Sequence, residues 1–192
     1  MEDRDRSLIK LVAAGDEAAL EELMKAHMPS VHAVARRLLG DDALADDAAQ
    51  ETFLAVWRSA STYRGDAPVR AWLHRIALNK ARSAARWCSV RRWLSLDRTV
   101  NDEPDSATLA DSIPDHSREA DPALEREHSD RAERLRAAVE SLPPRQKEMI
   151  LLRLEGLEVA EIAAAVGAAE GTVKATLHQA RANLEPLLKE AP

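Results

Sequence analysis

The sequence predicts an all-α protein built as two small helical domains joined by a flexible acidic linker, and three observations carry that prediction. Ala and Leu dominate, while aromatic residues make up only 3% of the chain, so the residue types that favour strands are scarce. The six glycines, at 15, 40, 65, 156, 167 and 171, each lie at or near an expected helix boundary. Between 97 and 125 the helical stripes stop. That stretch holds Pro104, Pro114 and Pro122, with nine acidic residues against Arg98 and Arg118, the composition of a solvated tether. The expected division is therefore 1–96, a linker at 97–125, and 126–192.

The elements follow in order. A helix over about 5–13 ends at Gly15-Asp16. A second runs from about Glu17 to Leu39, with Pro29 kinking or splitting it, and Gly40-Asp41-Asp42 stops it. A third spans about Ala43 to Ala60, and Ser61 to Pro68 form a loop. A long helix then runs from about Val69 to near Trp87. Beyond the linker one helix covers about 126–140, and Leu142-Pro143-Pro144 opens another that reaches about Leu154. The last segment, Glu158 to Leu184, reads as a helix–turn–helix. Ile162, Ala163 and Val166 form one apolar stripe, Gly167 breaks the helix, and Val173, Leu177, Ala180 and Leu184 form a second stripe. At about 100° per residue, Lys174, Ala175, His178, Arg181 and Ala182 fall on the opposite side, a face suited to the major groove of DNA. Thr172 and Thr176 join them as candidate contacts, and Arg153, just before the hairpin, is placed to hold a phosphate.

Charge is partitioned along the chain. The net formal charge is −6, but from Arg64 to Trp93 eight basic residues face the single acid Asp66. On the helix after Pro68, Trp72, Arg75, Asn79, Arg82 and Arg86 share a narrow sector, while Leu73, Ile76, Ala77, Ala81 and Ala84 make the packing side. Arginines at that spacing can grip successive phosphates. An amide can read a base edge. Trp72 is either a core residue or an indole that stacks on an unpaired base. The third helix has the opposite character: Asp46, Asp47, Gln50 and Glu51 cluster in its first half, with Phe53, Val56 and Trp57 supplying the buried side. Part of that acidity suits the helix macrodipole; as a functional surface it would dock a basic protein, not DNA.

Other classes find little support. No apolar run approaches the roughly 20 residues needed to span a bilayer, and the charged N-terminus lacks a secretory apolar region, so the expected compartment is the cytoplasm and no membrane insertion is expected. The single cysteine, Cys88, leaves no intramolecular disulfide. The six histidines (27, 32, 74, 116, 128 and 178) are scattered outside any metal or nucleophile motif. Neither an enzyme, a metal site nor a cofactor is expected.

The stretches DDALADDAAQETFLAVW (41–57), TYRGDAPVRAWLHRIALNKAR (62–82) and ESLPPRQKEMILLRLEGLEVAEIAAAVGAAEGTVKATLHQAR (140–181) together resemble the extracytoplasmic-function sigma factors of bacteria, two-domain members of the sigma-70 family. The resemblance covers both helical regions in the family's order. It implies a promoter-specificity subunit whose residues 1–96 form sigma region 2 and whose residues 126–192 form sigma region 4. It implies that the segment with Asp46, Asp47, Gln50 and Glu51 binds the β′ clamp helices of core RNA polymerase, and that the second domain meets the β flap. Tyr63, Arg64, Gly65, Asp66 and Asn79 would capture a flipped base of the minus-ten element, and Lys80, Arg82 and Arg86 the melted strand. The helix carrying Lys174 would enter the minus-thirty-five element. An anti-sigma factor is implied as a further partner, with a stress or metal response as the setting. Five positions in three places depart from the family pattern: Ala48 and Ala49 stand where bulkier residues are usual, Ala169 where a serine commonly caps the recognition helix, and Ala175-Thr176 where Ser-Arg is frequent.

Overall fold

The structure, a computed structural model, describes residues 2–96 and 136–189, with side chains described for 2–89 and 136–186. Every regular element among these residues is helical. In the N-terminal region α1 is Glu2–Ala13, α2 Glu17–Leu39, α3 Asp42–Ser59 and α4 Val69–Leu96, with a 3-10 turn at Ala60–Thr62. After a helical stretch at 136–140 come α5, Pro144–Leu154, α6, Val159–Val166, and α7, Glu170–Lys189.

Local chemistry accounts for the boundaries. Asp16 caps α2, its side chain accepting from Ala19 N at 3.1 Å, and Asp41 caps α3 by accepting from Leu44 N at 2.9 Å. Gly40, between them, closes α2 in the left-handed conformation at φ 68°. Helix α2 runs unbroken through Pro29, so the proline neither splits nor ends it; the tertiary contacts on both sides outweigh the missing hydrogen bond. Helix α4 is longer than expected, reaching Leu96 and not stopping near Trp87, because neither glycine nor proline interrupts the stretch between them. Of the helix expected at 126–140, residues 136–140 are helical; its remainder and the expected linker at 97–125 lie outside the described residues.

Two cores and a seam hold these helices. In the N-terminal region Leu8, Ile9, Val12, Leu23, Val56, Val69 and Leu73 pack together, beside Val31, Phe53 and Ala77. Ala35, Ala45 and Ala48 form a small-residue contact between α2 and α3, which lets the two backbones approach closely. In the C-terminal region Val139, Leu142, Ile150, Leu151, Ala180 and Leu184 cluster between α5 and α7. The seam joins the two regions: Val34 and Leu78 pack with Met149, Leu152, Leu157, Ile162, Val166 and Val173. Each large aliphatic side chain so buried contributes roughly 1.5–3 kcal/mol. The N-terminal core also encloses polar groups. Asp5 and His27 meet at 3.1 Å, both buried. His74 is fully buried, with Nδ1 2.8 Å from the Arg70 carbonyl. Donation there leaves its Nε2 to accept from the Ser30 hydroxyl at 3.3 Å.

Candidate nucleic-acid and protein-docking surfaces

The loop after α3 and the start of α4 enclose a pocket of about 190 Å³ lined by Tyr63, Arg64, Gly65, Asp66, Trp72 and Arg75, among others. Its shape has local causes. Gly65 takes φ 80°, a turn conformation that L side chains resist. Tyr63 donates its hydroxyl to the Ala67 carbonyl at 2.6 Å, which closes the loop on itself. Trp72, one helical turn inside α4, meets Tyr63 with ring centroids 5.3 Å apart and planes tilted by 54°. Trp72 is half-buried against the N-terminal core, and it also walls the pocket. Partial burial pushes the Tyr63 phenol above its ordinary pKa, with the Glu2 carboxylate adding to the effect, so the ring is neutral at physiological pH. A neutral aromatic pair beside Arg64 and Arg75 suits an unstacked base attached to a phosphate.

Down the same helix face Arg75, Asn79 and Arg86 are exposed, and Arg82 is half-buried. Arg82 donates through Nη1 to the Asn79 side-chain oxygen at 3.2 Å, and Arg86 donates to the Ser83 hydroxyl at 3.0 Å. The packing side is as expected for Leu73, Ala77 and Ala81, all buried. Ile76 and Ala84 are only half-buried. Lys80 points elsewhere and pairs with Glu51 of α3 at 2.9 Å.

The acidic ridge lies where the spacing put it. Asp46, Asp47, Gln50 and Glu51 are all exposed on α3. The Lys80 hydrogen bond lowers the Glu51 pKa, keeping the carboxylate ionised, and Asp46 lies 3.0 Å from His32 of α2. A shallow groove of about 500 Å³ runs beside the ridge, lined by Lys25, Met28, Pro29, His32, Asp46, Ala49 and Gln50. The α2 residues of this groove escaped the sequence reading, since nothing in their spacing marks them. They matter because Met28, Pro29 and Ala49 give an otherwise polar surface an apolar floor.

The helix–turn–helix is made by α6 and α7. Gly167 ends α6 at φ 67°, and Val173, Ala180 and Leu184 turn inward. Thr172, Lys174, Ala175, His178, Arg181 and Ala182 are exposed together, and Thr176 is half-buried beside them. Arg153 is less available than its position suggested. It donates to the Leu157 carbonyl at 2.9 Å and lies 3.1 Å from Glu158, which ties it to the turn before α6.

Comparisons agree with this arrangement. Residues 23–87 match the family described as sigma-70 region 2, and residues 132–184 match sigma-70 region 4. The chain is 30% identical to the RNA polymerase sigma factor CnrH of Cupriavidus metallidurans, over 97% of this chain and 95% of that protein. It is 32% identical to the ECF RNA polymerase sigma factor SigM of Mycobacterium tuberculosis, over 97% of this chain and 86% of that one. The fold superposes on CnrH in complex with the cytosolic domain of CnrY with a TM-score of 0.69 and 26% identity, covering 98% of this chain and 99% of the other.

Proposed function

Because the chain belongs to the sigma-70 family of RNA polymerase sigma factors, in its extracytoplasmic-function group, we propose that it uses two separate nucleic-acid faces and one protein-docking ridge to start transcription at a chosen set of promoters. It is a promoter-specificity factor that binds core RNA polymerase and directs initiation under anti-sigma control. Polymerase supplies the chemistry and this chain supplies the address. The inducing signal belongs to a stress or metal response. No described helix is long and apolar enough to cross a membrane, and we place the protein in the cytoplasm with its polymerase.

The observation that carries the reading is one helix with two chemistries in line: a neutral aromatic pocket at the N-terminal end of α4 and an amide and arginine row along the same face. A duplex-binding regulator has no use for an open base-sized pocket. In our assignment Tyr63, Arg64, Gly65, Asp66 and Trp72 receive the flipped base, and Arg75, Asn79, Lys80, Arg82 and Arg86 follow the melted strand. Thr172, Lys174, Thr176, His178, Arg181 and, more remotely, Arg153 serve the duplex minus-thirty-five site. Asp46, Asp47, Gln50 and Glu51 dock the β′ clamp helices, and residues 126–192 meet the β flap. Residues 1–96 act as the first domain, with 97–125 as the tether. Tethering turns two modest affinities into one useful affinity. The test is run-off transcription with purified core polymerase on a genomic library: new start sites that need this chain are expected, and an unchanged transcript set would refute the assignment.

A further inference from the structure

The exposed face of α7 carries one group that a phosphate backbone repels. Glu170 opens the helix and stands in solvent, as do Gly171, Thr172, Lys174 and Ala175. At about 100° per residue, Glu170, Lys174, His178 and Arg181 share a sector of about 80°, so the acid heads the same row as three candidate DNA contacts. Its carboxylate lies 3.9 Å from the Lys174 ammonium, one turn along. A first-turn acid suits the helix macrodipole, but beside DNA the same charge opposes binding unless it meets a donor. Gly171, next to it, has no internal reason to be glycine. It is the one glycine among the described residues whose φ is not positive, and no atom lies within 4 Å of where its side chain would begin. Glycine weakens a helix relative to alanine, so a bare backbone at the tip of α7 fits a close approach from outside the protein.

We propose that Glu170 is a specificity-determining residue: its carboxylate accepts a hydrogen bond from the N4 amine of a cytosine in the major groove of the minus-thirty-five element, so the site must carry a C·G pair at that position. In a helix–turn–helix the N-terminal residues of the second helix reach the base edges, which sets Glu170 among bases and not along phosphates. Only cytosine N4 and adenine N6 offer amine donors in the major groove, and adenine holds its N7 acceptor beside the amine, where a carboxylate is unwelcome. Guanine presents O6 and N7, and thymine O4; these acceptors repel the acid. Glu170 therefore selects by penalty as well as by contact, because it lowers affinity for every sequence that lacks the donor. Lys174, one turn further, carries donors only, so the two side chains demand opposite chemistry from neighbouring bases.

The role of Glu170 rests on the duplex-reading role of α7, and one experiment separates the two. Core polymerase loaded with the full chain is mixed with a promoter that this chain opens, its minus-thirty-five element randomised, and the bound duplexes are recovered and sequenced. The wild type should enrich cytosine about tenfold at one position of the element. Glu170→Ala should abolish that preference and leave the preferences at other positions in place, which also shows that the variant is folded. Glu170→Gln should move the preference at the same position from cytosine to adenine, whose N6 and N7 suit a carboxamide. A wild type with no preference anywhere in the randomised element would refute the duplex-reading role of α7, and the role of Glu170 with it. Preferences that are present but identical in wild type and Glu170→Ala would overturn the role of Glu170 alone. So would an equal gain in binding to every sequence in both variants, because it would mean that the acid only repels.

Discussion

On α4 two guanidinium groups are engaged by the C-terminal region, Arg82 by Glu148 and Arg70 by Glu161 and the Gly156 carbonyl, while Arg75 and Arg86 are exposed. On α7 the candidate contacts stand in solvent, with one lysine, one arginine, one histidine and small side chains between them. The contrast follows from what each face would bind. A dense row of arginines attracts any polyanion without regard to sequence. A sparse face of Thr172, Lys174, His178 and Arg181 attracts little until base edges match, and it can remain open.

The largest expected effect concerns the helix that carries the engaged face. Burial pushes the His74 imidazole down to about 4, with the neighbouring Arg70 and His27 charges acting in the same direction and the Arg70 carbonyl bond and Glu161 opposing it. A depressed histidine pKa means the unfolded chain binds the extra proton. The stabilisation is complete above about pH 6.5 and is lost as pH falls towards about 4. The full difference is about 3 kcal/mol, of which about 2 kcal/mol should vanish between pH 7 and pH 5. Urea unfolding of the wild type and of His74→Gln at the two pH values checks this: the variant should lose about 2 kcal/mol less than the wild type on acidification. Equal losses would mean that the imidazole is not held neutral between α4 and α2.

The smaller effect lies on the open side. Ala169 precedes helix α7; its carbonyl accepts from Val173 N at 3.1 Å, and its methyl group cannot cap the first amides. Ala169→Ser should stabilise the chain by about 1 kcal/mol, seen as a shift of the urea midpoint. Because Ala169 is exposed, the single-strand affinity of the chain should not change with it. A change in that affinity would mean that the two faces are coupled more tightly than the ion pairs suggest.

Much of this molecule is legible in its residues. The stripes of Val173, Ala180 and Leu184, the glycine at 167 and the caps at Asp16 and Asp41 act within a few residues of themselves, and so they can be read in sequence. The exposed sector of α4 and the ridge of α3 follow from the same local periodicity. What escapes is the long-range pairing. His27 and Asp5 are 22 residues apart, and His74 and Ser30 are 44 apart, so the histidines look scattered although two of the four among the described residues are buried in the N-terminal region. Arg82 and Glu148 are 66 apart, and neither residue's neighbours predict the meeting. Ala48 and Ala49, which stand out in sequence as light packing, are buried; Ala48 shares its small-residue cluster with Ala35 and Ala45. That closeness is a property of the pair of helices and not of either one.

The division of labour between the two faces is tested most directly by permanganate footprinting of a promoter that core polymerase opens only with this chain. Asn79→Ala should leave duplex occupancy intact and reduce strand opening by about 10- to 100-fold, the worth of one specific base contact. Lys174→Ala should weaken occupancy and lower its salt dependence by about one charge, yet leave opening normal once the promoter is saturated. Full opening with Asn79→Ala, or lost opening with saturated Lys174→Ala, would contradict the assignment of melting to α4 and duplex reading to α7.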